Sequence, residues 1–277
     1  GDVVWTSSTT FVASANCARY CGAAVDFVDI DPGTWCLSVE KLEEKLQWCQ
    51  KQNLPLPKVV IPVHLSGQSC DMEPIATLGK RYGFRIIEDA SHAVGASYRG
   101  EPVGNCRYSD ITVFSFHPVK VITTGEGGIA LTNNTDLCRH MARLRSHGIT
   151  RDPEQLKLQS ESSWYYEQLE LGFNYRMTDL QAALGLSQLE RLEYFVERRN
   201  ELAKRYDGAL IELPVKLQQV PANVRSARHL YVIRVLAEQH RGMLEALHEV
   251  GIGVNRHYLP VHLQPYYRNL GFSAGQF

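Results

Sequence analysis

The chain has 277 residues, 44% of them hydrophobic, enough to bury a sizeable core in one large domain or in one domain with a smaller piece. Its 29 basic and 30 acidic residues leave a formal charge of −1, so no global field favours nucleic acid or an anionic membrane, and small-molecule chemistry is the better starting point. No stretch approaches the run of about 20 apolar residues that a membrane helix needs, and no signal peptide opens the chain. The seven cysteines (17, 21, 36, 49, 70, 106 and 138) contain no CxxC pair, so they read as reduced thiols of a cytoplasmic protein.

Between residues 1 and 132, short apolar runs alternate with amphipathic segments, the sign of βαβ units and a largely parallel sheet. Strands are predicted over 3–6, 25–30, 58–63, 84–89, 111–116 and 127–132. The helix after the second strand takes Ser38 as its N-cap, with Leu37 and Leu42 placed as a hydrophobic staple. Asp71 caps the next helix, whose Met72, Ile75, Leu78 and Tyr82 recur at helical spacing, and Gly83 ends it. Beyond 133 come a helix, an irregular stretch over 148–173, and a helix opening on the capping-box spacing Thr178–Gln181. Its apolar period carries that helix to about 207, a length suited to connecting two domains. The remainder predicts a strand at 229–236, a helix at 238–250 and a strand near 252–256, too little for a complete domain. Large-domain residues 1–200 and a partial small domain at 201–277 follow, and both termini read as cut ends.

Two of the strand ends carry chemistry. The run 84–89 finishes on Asp89 and the run from Ile111 leads to Lys120, followed by Gly125, Gly127 and Gly128. Pyridoxal phosphate needs an amine for a Schiff base, a carboxylate facing its pyridine nitrogen, and phosphate donors. Lys120 and Asp89 at the carboxyl edge of a parallel sheet supply the first two, although Asp89 also suits a turn cap. Ser115 can bind the phosphate, Phe11 can stack on the pyridine ring, and His92 can orient Asp89 or lie against the ring. His64 with His92 or His117 lacks the close spacing of metal ligands, so no metal is assigned. The basic series Arg139, Arg143, Arg145, His147 and Arg151 reads as a charged helix face in water rather than a diphosphate site.

With those residues in place, the sequence resembles the DegT/DnrJ/EryC1/StrS sugar aminotransferases, of PLP fold type I. The resemblance runs the whole length. It is carried by Thr10-Phe-Val-Ala-Ser-Ala-Asn16, Phe27-Val-Asp-Ile-Asp31, Pro62-Val-His-Leu-Ser-Gly67 with Asp71-Met72, Glu88-Asp-Ala-Ser-His92, Ser115-Phe-His-Pro-Val-Lys120, Gly125-Glu-Gly-Gly128 and Gly172-Phe-Asn-Tyr-Arg-Met177. Within the family, Phe114–Lys120, Ile122–Gly128 and Arg145-Ser-His-Gly148 look most like the aminotransferases of pseudaminic acid synthesis, which act on a UDP-linked 4-keto-6-deoxy-N-acetylhexosamine.

The resemblance implies that Lys120 holds the cofactor and shuttles the proton, Asp89 pairs with the pyridine nitrogen, Phe11 and His92 flank the ring, and Ser115 binds phosphate. It further implies that Asn174 reaches into a neighbouring subunit's site in a homodimer, that His257 and Tyr258 line the nucleotide-sugar pocket, and that L-glutamate is the amino donor. Family members carry an upstream Gly-Thr turn that contacts phosphate, and they continue past residue 277. The family's sugar dehydratases have histidine in place of the cofactor lysine, so Lys120 argues against them. Lys120 leaves open a cyclitol aminotransferase, or a non-catalytic binding or regulatory module that keeps only the fold.

Overall fold

The computed structural model describes residues 1–158, 162 and 164–277. Its centre is a six-stranded sheet of β1 (Val3–Ser7), β2 (Ala24–Val28), β3 (Val59–Ile61), β4 (Arg85–Asp89), β5 (Ile111–Ser115) and β6 (Gly128–Leu131), ordered β2-β1-β3-β4-β5-β6. The first five strands are parallel and β6 runs antiparallel to β5. The six strand candidates of the sequence are all present, so the fold is the α/β, mostly parallel class expected.

Helices follow the parallel strands and cover both faces: α1 (Ala13–Tyr20) after β1, α2 (Val39–Lys51) after β2 and α3 (Met72–Tyr82) after β3. Successive strand residues point to opposite faces, and the core divides accordingly. Trp5, Val60 and Ile86 join Leu42, Leu46, Met72 and Ile75 on one side. Val4 and Ile61 join Ala15, Ala18, Phe27 and the later Val261 and Tyr267 on the other. A third cluster, Ala90, Ala93, Phe114, Val121, Ile122 and Val196, lies beneath the segments that follow β4 and β5.

Local signals explain most helix ends. Ser38 Oγ accepts the amide of Lys41, with Leu37 and Leu42 both buried at that end. Gly83 takes the left-handed φ of +79° that stops α3. Asp71 occupies the N-cap of α3 but makes no capping bond. Its carboxylate instead accepts the Tyr98 hydroxyl, whose oxygen in turn accepts the Glu73 amide in the first turn of α3.

The long helix expected over 178–207 is two helices, α5 (Asp179–Leu189) and α6 (Leu192–Leu210), after α4 (Thr135–Arg145). The capping box of Thr178 and Gln181 opens α5. The break at Glu190–Arg191 lets α6 turn onto the segment after β4, where Val196 is fully buried and packs close to Gly95. Apolar periodicity continues across the break, which is why the sequence conceals it.

The C-terminal expectations are met in part. A helix, α7, spans His240–Glu249, but only Ile233–Arg234 of the 229–236 run is a strand, antiparallel to Lys216–Leu217. No strand forms over 252–256 among the described residues. The hydrogen bonds of 226–230 go elsewhere: the amides of Ala227 and Leu230 donate to Gly67 and Ser66. The irregular stretch after α4 holds a two-strand ladder of Ile149–Thr150 with Glu167–Gln168, and residues 159–161 and 163 within it lie outside the described part.

Candidate active site

The carboxyl edge of the sheet gathers the candidate residues, because parallel strands all deliver their following loops to one side. β1 leads to Phe11, β3 to His64 and the turn Leu65–Gly67, β4 ends on Asp89, and β5 ends on Ser115. β1 has β2 on one side and β3 on the other, so the chain reverses direction across the sheet where Phe11 emerges.

Asp89 is half-buried and held on both oxygens. Ser14 Oγ donates to Oδ2 at 2.5 Å and the Ser91 amide donates to Oδ1 at 3.1 Å. Thr10 Oγ1 lies 2.8 Å from Ser14 Oγ, and since the carboxylate can only accept the serine proton, Thr10 is the donor in that second bond. The sequence did not single out Ser14. It lies inside the motif 10–16, but only the turn of helix α1 brings it three residues beyond Phe11 and under Asp89.

Lys120 lies five residues past the end of β5, in the turn whose Lys120 amide donates to His117. Burial lowers its pKa, and the nearby Asp89 carboxylate opposes that shift without cancelling it. A lysine kept partly desolvated near one carboxylate is suited to act as a nucleophilic amine. The loop behind it closes tightly: Phe116 donates to Gly127 O and Thr124 to Phe116 O, and a Cβ on Gly127 would come within 2.7 Å of Met177 Cε. Ser115 Oγ, at the strand end, accepts the His117 amide at 3.3 Å.

His92 makes no hydrogen bond to Asp89, because both of its ring nitrogens face other partners. Its Nδ1 lies 3.2 Å from the Ser66 amide nitrogen and its Nε2 3.2 Å from Tyr258 Oη. Burial, then the neighbouring Lys120 and His257, push its pKa down to about 3. His229, which the sequence did not mark either, packs its ring 4.5 Å from that of His92, and burial beside His92 and Lys120 pushes it down to about 2. Tyr258 is pushed up to about 12 by burial and by Asp89. Its ring centroid is 6.3 Å from that of Phe11, a residue 59% exposed, and 4.8 Å from that of His257.

A cavity of about 690 Å³ adjoins this group, lined by Thr9, Trp35, His229, Arg256, His257 and Tyr258 among others. Lys120 and Asp89 are outside its lining, and Tyr258 with His229 connect the two.

Asn174 is exposed and bridges in backbone to Ser146, away from Lys120 and Asp89 in its bonding. In the basic series, Arg143 pairs with Glu170, which also holds His140. That pairing accounts for part of the series as an ion-paired helix face. Among the described residues no group of three or more His, Cys, Asp or Glu is placed to hold a metal.

A second polar group sits just beneath. Glu88, facing away from Asp89 in the same strand, accepts His64 Nε2 at 2.7 Å on one oxygen and Thr112 at 2.8 Å and Ser109 at 2.5 Å on the other. The Cys70 amide donates to His64 Nδ1, so the ring proton sits on Nε2. No carboxylate oxygen in this buried pair is left without a donor.

The donor set fits one cofactor. A partly desolvated amine, a carboxylate pinned from two sides, an exposed aromatic ring and the Ser115 hydroxyl, whose proton is not used in its bond to the His117 amide, lie along one sheet edge and match what pyridoxal phosphate asks of a protein. The whole chain, residues 1–277, matches the DegT/DnrJ/EryC1/StrS aminotransferase family. It belongs to that family. It is 39% identical over 285 residues to the spore coat polysaccharide biosynthesis protein SpsC of Bacillus subtilis, covering 100% of this chain and 70% of SpsC. The PLP form of a Streptococcus pneumoniae protein described as a sugar aminotransferase superposes with a TM-score of 0.84 at 31% identity, over 98% of this chain and 71% of that one. PseC of Helicobacter pylori, an aminotransferase of pseudaminic acid biosynthesis, superposes at 0.86 with 29% identity, over 99% and 70%. The chain is therefore a PLP-dependent sugar aminotransferase by family, and its cofactor is pyridoxal phosphate.

Proposed function

We propose that this sugar aminotransferase moves an amino group from L-glutamate to the C4 ketone of a UDP-linked 4-keto-6-deoxy-N-acetylhexosamine, giving UDP-4-amino-4,6-dideoxy-N-acetyl-altrosamine for pseudaminic acid synthesis. The observation that carries the transamination is the pairing of Lys120, its pKa lowered by burial, with Asp89 held by Ser14 and Ser91. The sugar rests on the motifs at 114–128 and 145–148 and on the likeness to PseC.

When bound, pyridoxal phosphate supplies an electron sink that stabilises negative charge at the amine-bearing carbon. Asp89 would hold the pyridine nitrogen, with its hydrogen bonds from Ser14 and Ser91 fixing the carboxylate for that contact. Phe11 offers its open face to the ring, His92 supports the site from the turn after β4, and Ser115 binds the phosphate. Lys120 takes the proton from the amine-bearing carbon and returns it, a task suited to an amine with a lowered pKa. His257 and Tyr258 line the path of the sugar nucleotide.

The working unit is a homodimer in the cytoplasm, with Asn174 completing the neighbouring site. Its support is α5, where Leu180, Leu186 and Leu189 are 86%, 66% and 50% exposed, more apolar surface than a helix ordinarily leaves in water. Residues 1–200 form the cofactor-binding domain and 201–277 part of a smaller one.

The test is product analysis by mass and NMR with the UDP-keto sugar and glutamate, beside a parallel incubation with inosose. Lys120→Ala should lose turnover entirely and leave no borohydride-trapped cofactor. Turnover retained by Lys120→Ala would sink the mechanism, and conversion of inosose alone would replace the substrate with a cyclitol.

A further inference from the structure

Three segments far apart in the chain meet at His92 and decide which of its ring nitrogens carries the proton. The Ser66 amide can only donate, so Nδ1 accepts, and in the neutral ring the proton is on Nε2. Nε2 faces Tyr258 Oη, which must therefore accept. The phenol keeps its own proton, and among the described residues no acceptor takes it. Tyr258 also lines the 690 Å³ cavity, so a proton turned away from His92 has that cavity in reach.

The turn that sets this polarity is firmly built. Ser66 adopts φ +62° although it is not glycine, with its hydroxyl lodged between Leu65 O and the Gln218 side chain. The amides of Ala227 and Leu230 tie the turn to the segment bearing His229. A Cβ on Gly67 would meet Arg228 N at 2.8 Å, His92 O at 2.9 Å and His229 N at 3.0 Å, all of them backbone. Strain of this kind persists only where the surroundings over-determine it.

Resting on the transamination proposed above, we infer that Tyr258 is a catalytic hydrogen-bond donor to the carbonyl oxygen at the reacting carbon of the sugar, with the Ser66 amide and His92 as positioning groups that aim its proton. The path runs Ser66 N–H to His92 Nδ1, His92 Nε2–H to Tyr258 Oη, and Tyr258 O–H to the substrate. A carbonyl oxygen gains negative charge as its carbon is attacked, so a donor fixed in advance stabilises that charge more than the ground state. Burial of both rings keeps His92 neutral and Tyr258 protonated through the neutral pH range.

The experiment pairs a tautomer measurement with kinetics. In protein labelled with ¹⁵N histidine, with and without cofactor, His92 should show a bare Nδ1 and a protonated Nε2 throughout about pH 6 to 8. Tyr258→Phe should keep that tautomer and lower kcat for the sugar ketone about 10- to 100-fold, with KM changed less than about threefold. His92→Gln, whose amide still reaches Tyr258, should retain more activity than His92→Ala. A proton on His92 Nδ1, titration of His92 near its ordinary value, or a Tyr258→Phe effect confined to KM would each overturn the inference. A wild-type protein with the stated tautomer that converts no keto sugar would instead overturn the function proposed above.

Discussion

Ser14→Ala isolates what holds Asp89 in place. Ser14 is 4% exposed and its single proton goes to Asp89 Oδ2, while Thr10, 2% exposed, donates to the same hydroxyl. A hydrogen bond to a charged group contributes about 1.5–3 kcal/mol, and a buried donor stripped of its partner costs about 1–3 kcal/mol. The substitution removes the first bond and orphans Thr10, while the Ser91 amide keeps hold of the other carboxylate oxygen. The protein without cofactor should lose at least about 2.5 kcal/mol in urea denaturation. Release of one side of the carboxylate should weaken pyridoxal phosphate binding about tenfold, or about 1.4 kcal/mol, read by quenching of intrinsic fluorescence. Thr10→Val is the control, because it removes only the outer bond and should cost stability without changing the Kd. If Ser14→Ala binds the cofactor with unchanged Kd, Asp89 does not owe its orientation to Ser14 and the reasoning fails.

Glu88 predicts a pH dependence of stability. Burial alone would raise its pKa, but hydrogen bonds from His64, Ser109 and Thr112 outweigh burial and hold the carboxyl below its ordinary value. A carboxyl lowered in the folded state stabilises above its unfolded value of about 4.3, and that contribution is lost as pH falls through the folded value. Glu88→Gln should therefore be destabilised at pH 7, with the gap to wild type narrowing below about pH 4.3. A gap of constant size from neutral to acid pH would refute the assignment. Gly67→Ala places a Cβ against three backbone atoms at a φ of +103°. It should cost about 2–4 kcal/mol, seen as a lower urea midpoint with unchanged slope, and an unchanged midpoint would show that the turn can shift.

The sheet was legible because its strands are short apolar runs separated by amphipathic helices, one of them opened by the Ser38 cap. What a strand end delivers is also readable, which is why Asp89, Ser115 and Lys120 could be picked out from local sequence. The break at Glu190–Arg191 was not, since neither residue is a helix breaker and the cause lies in packing of Val196 near Gly95. The partners of the site were hidden for the same reason. Ser14 reaches Asp89 across 75 residues and Tyr258 reaches His92 across 166, and no local pattern records such meetings. His92 shows the limit well: its place in the motif was plain, but whether it orients a carboxylate or anchors a phenol depends on the Ser66 amide beneath it.

The separation of 166 residues between His92 and Tyr258 also has a meaning in time. At about 5–20 residues per second of ribosomal synthesis, roughly 10–30 s pass between their appearances. Once the last sheet strand, Gly128–Leu131, has emerged, the sheet, the lysine and the aspartate can be assembled while the phenol has yet to be made. A nascent chain can thus hold much of a cofactor cradle before it can aim a proton at a substrate, and maturation of the site ends with the C-terminal segment rather than with the sheet.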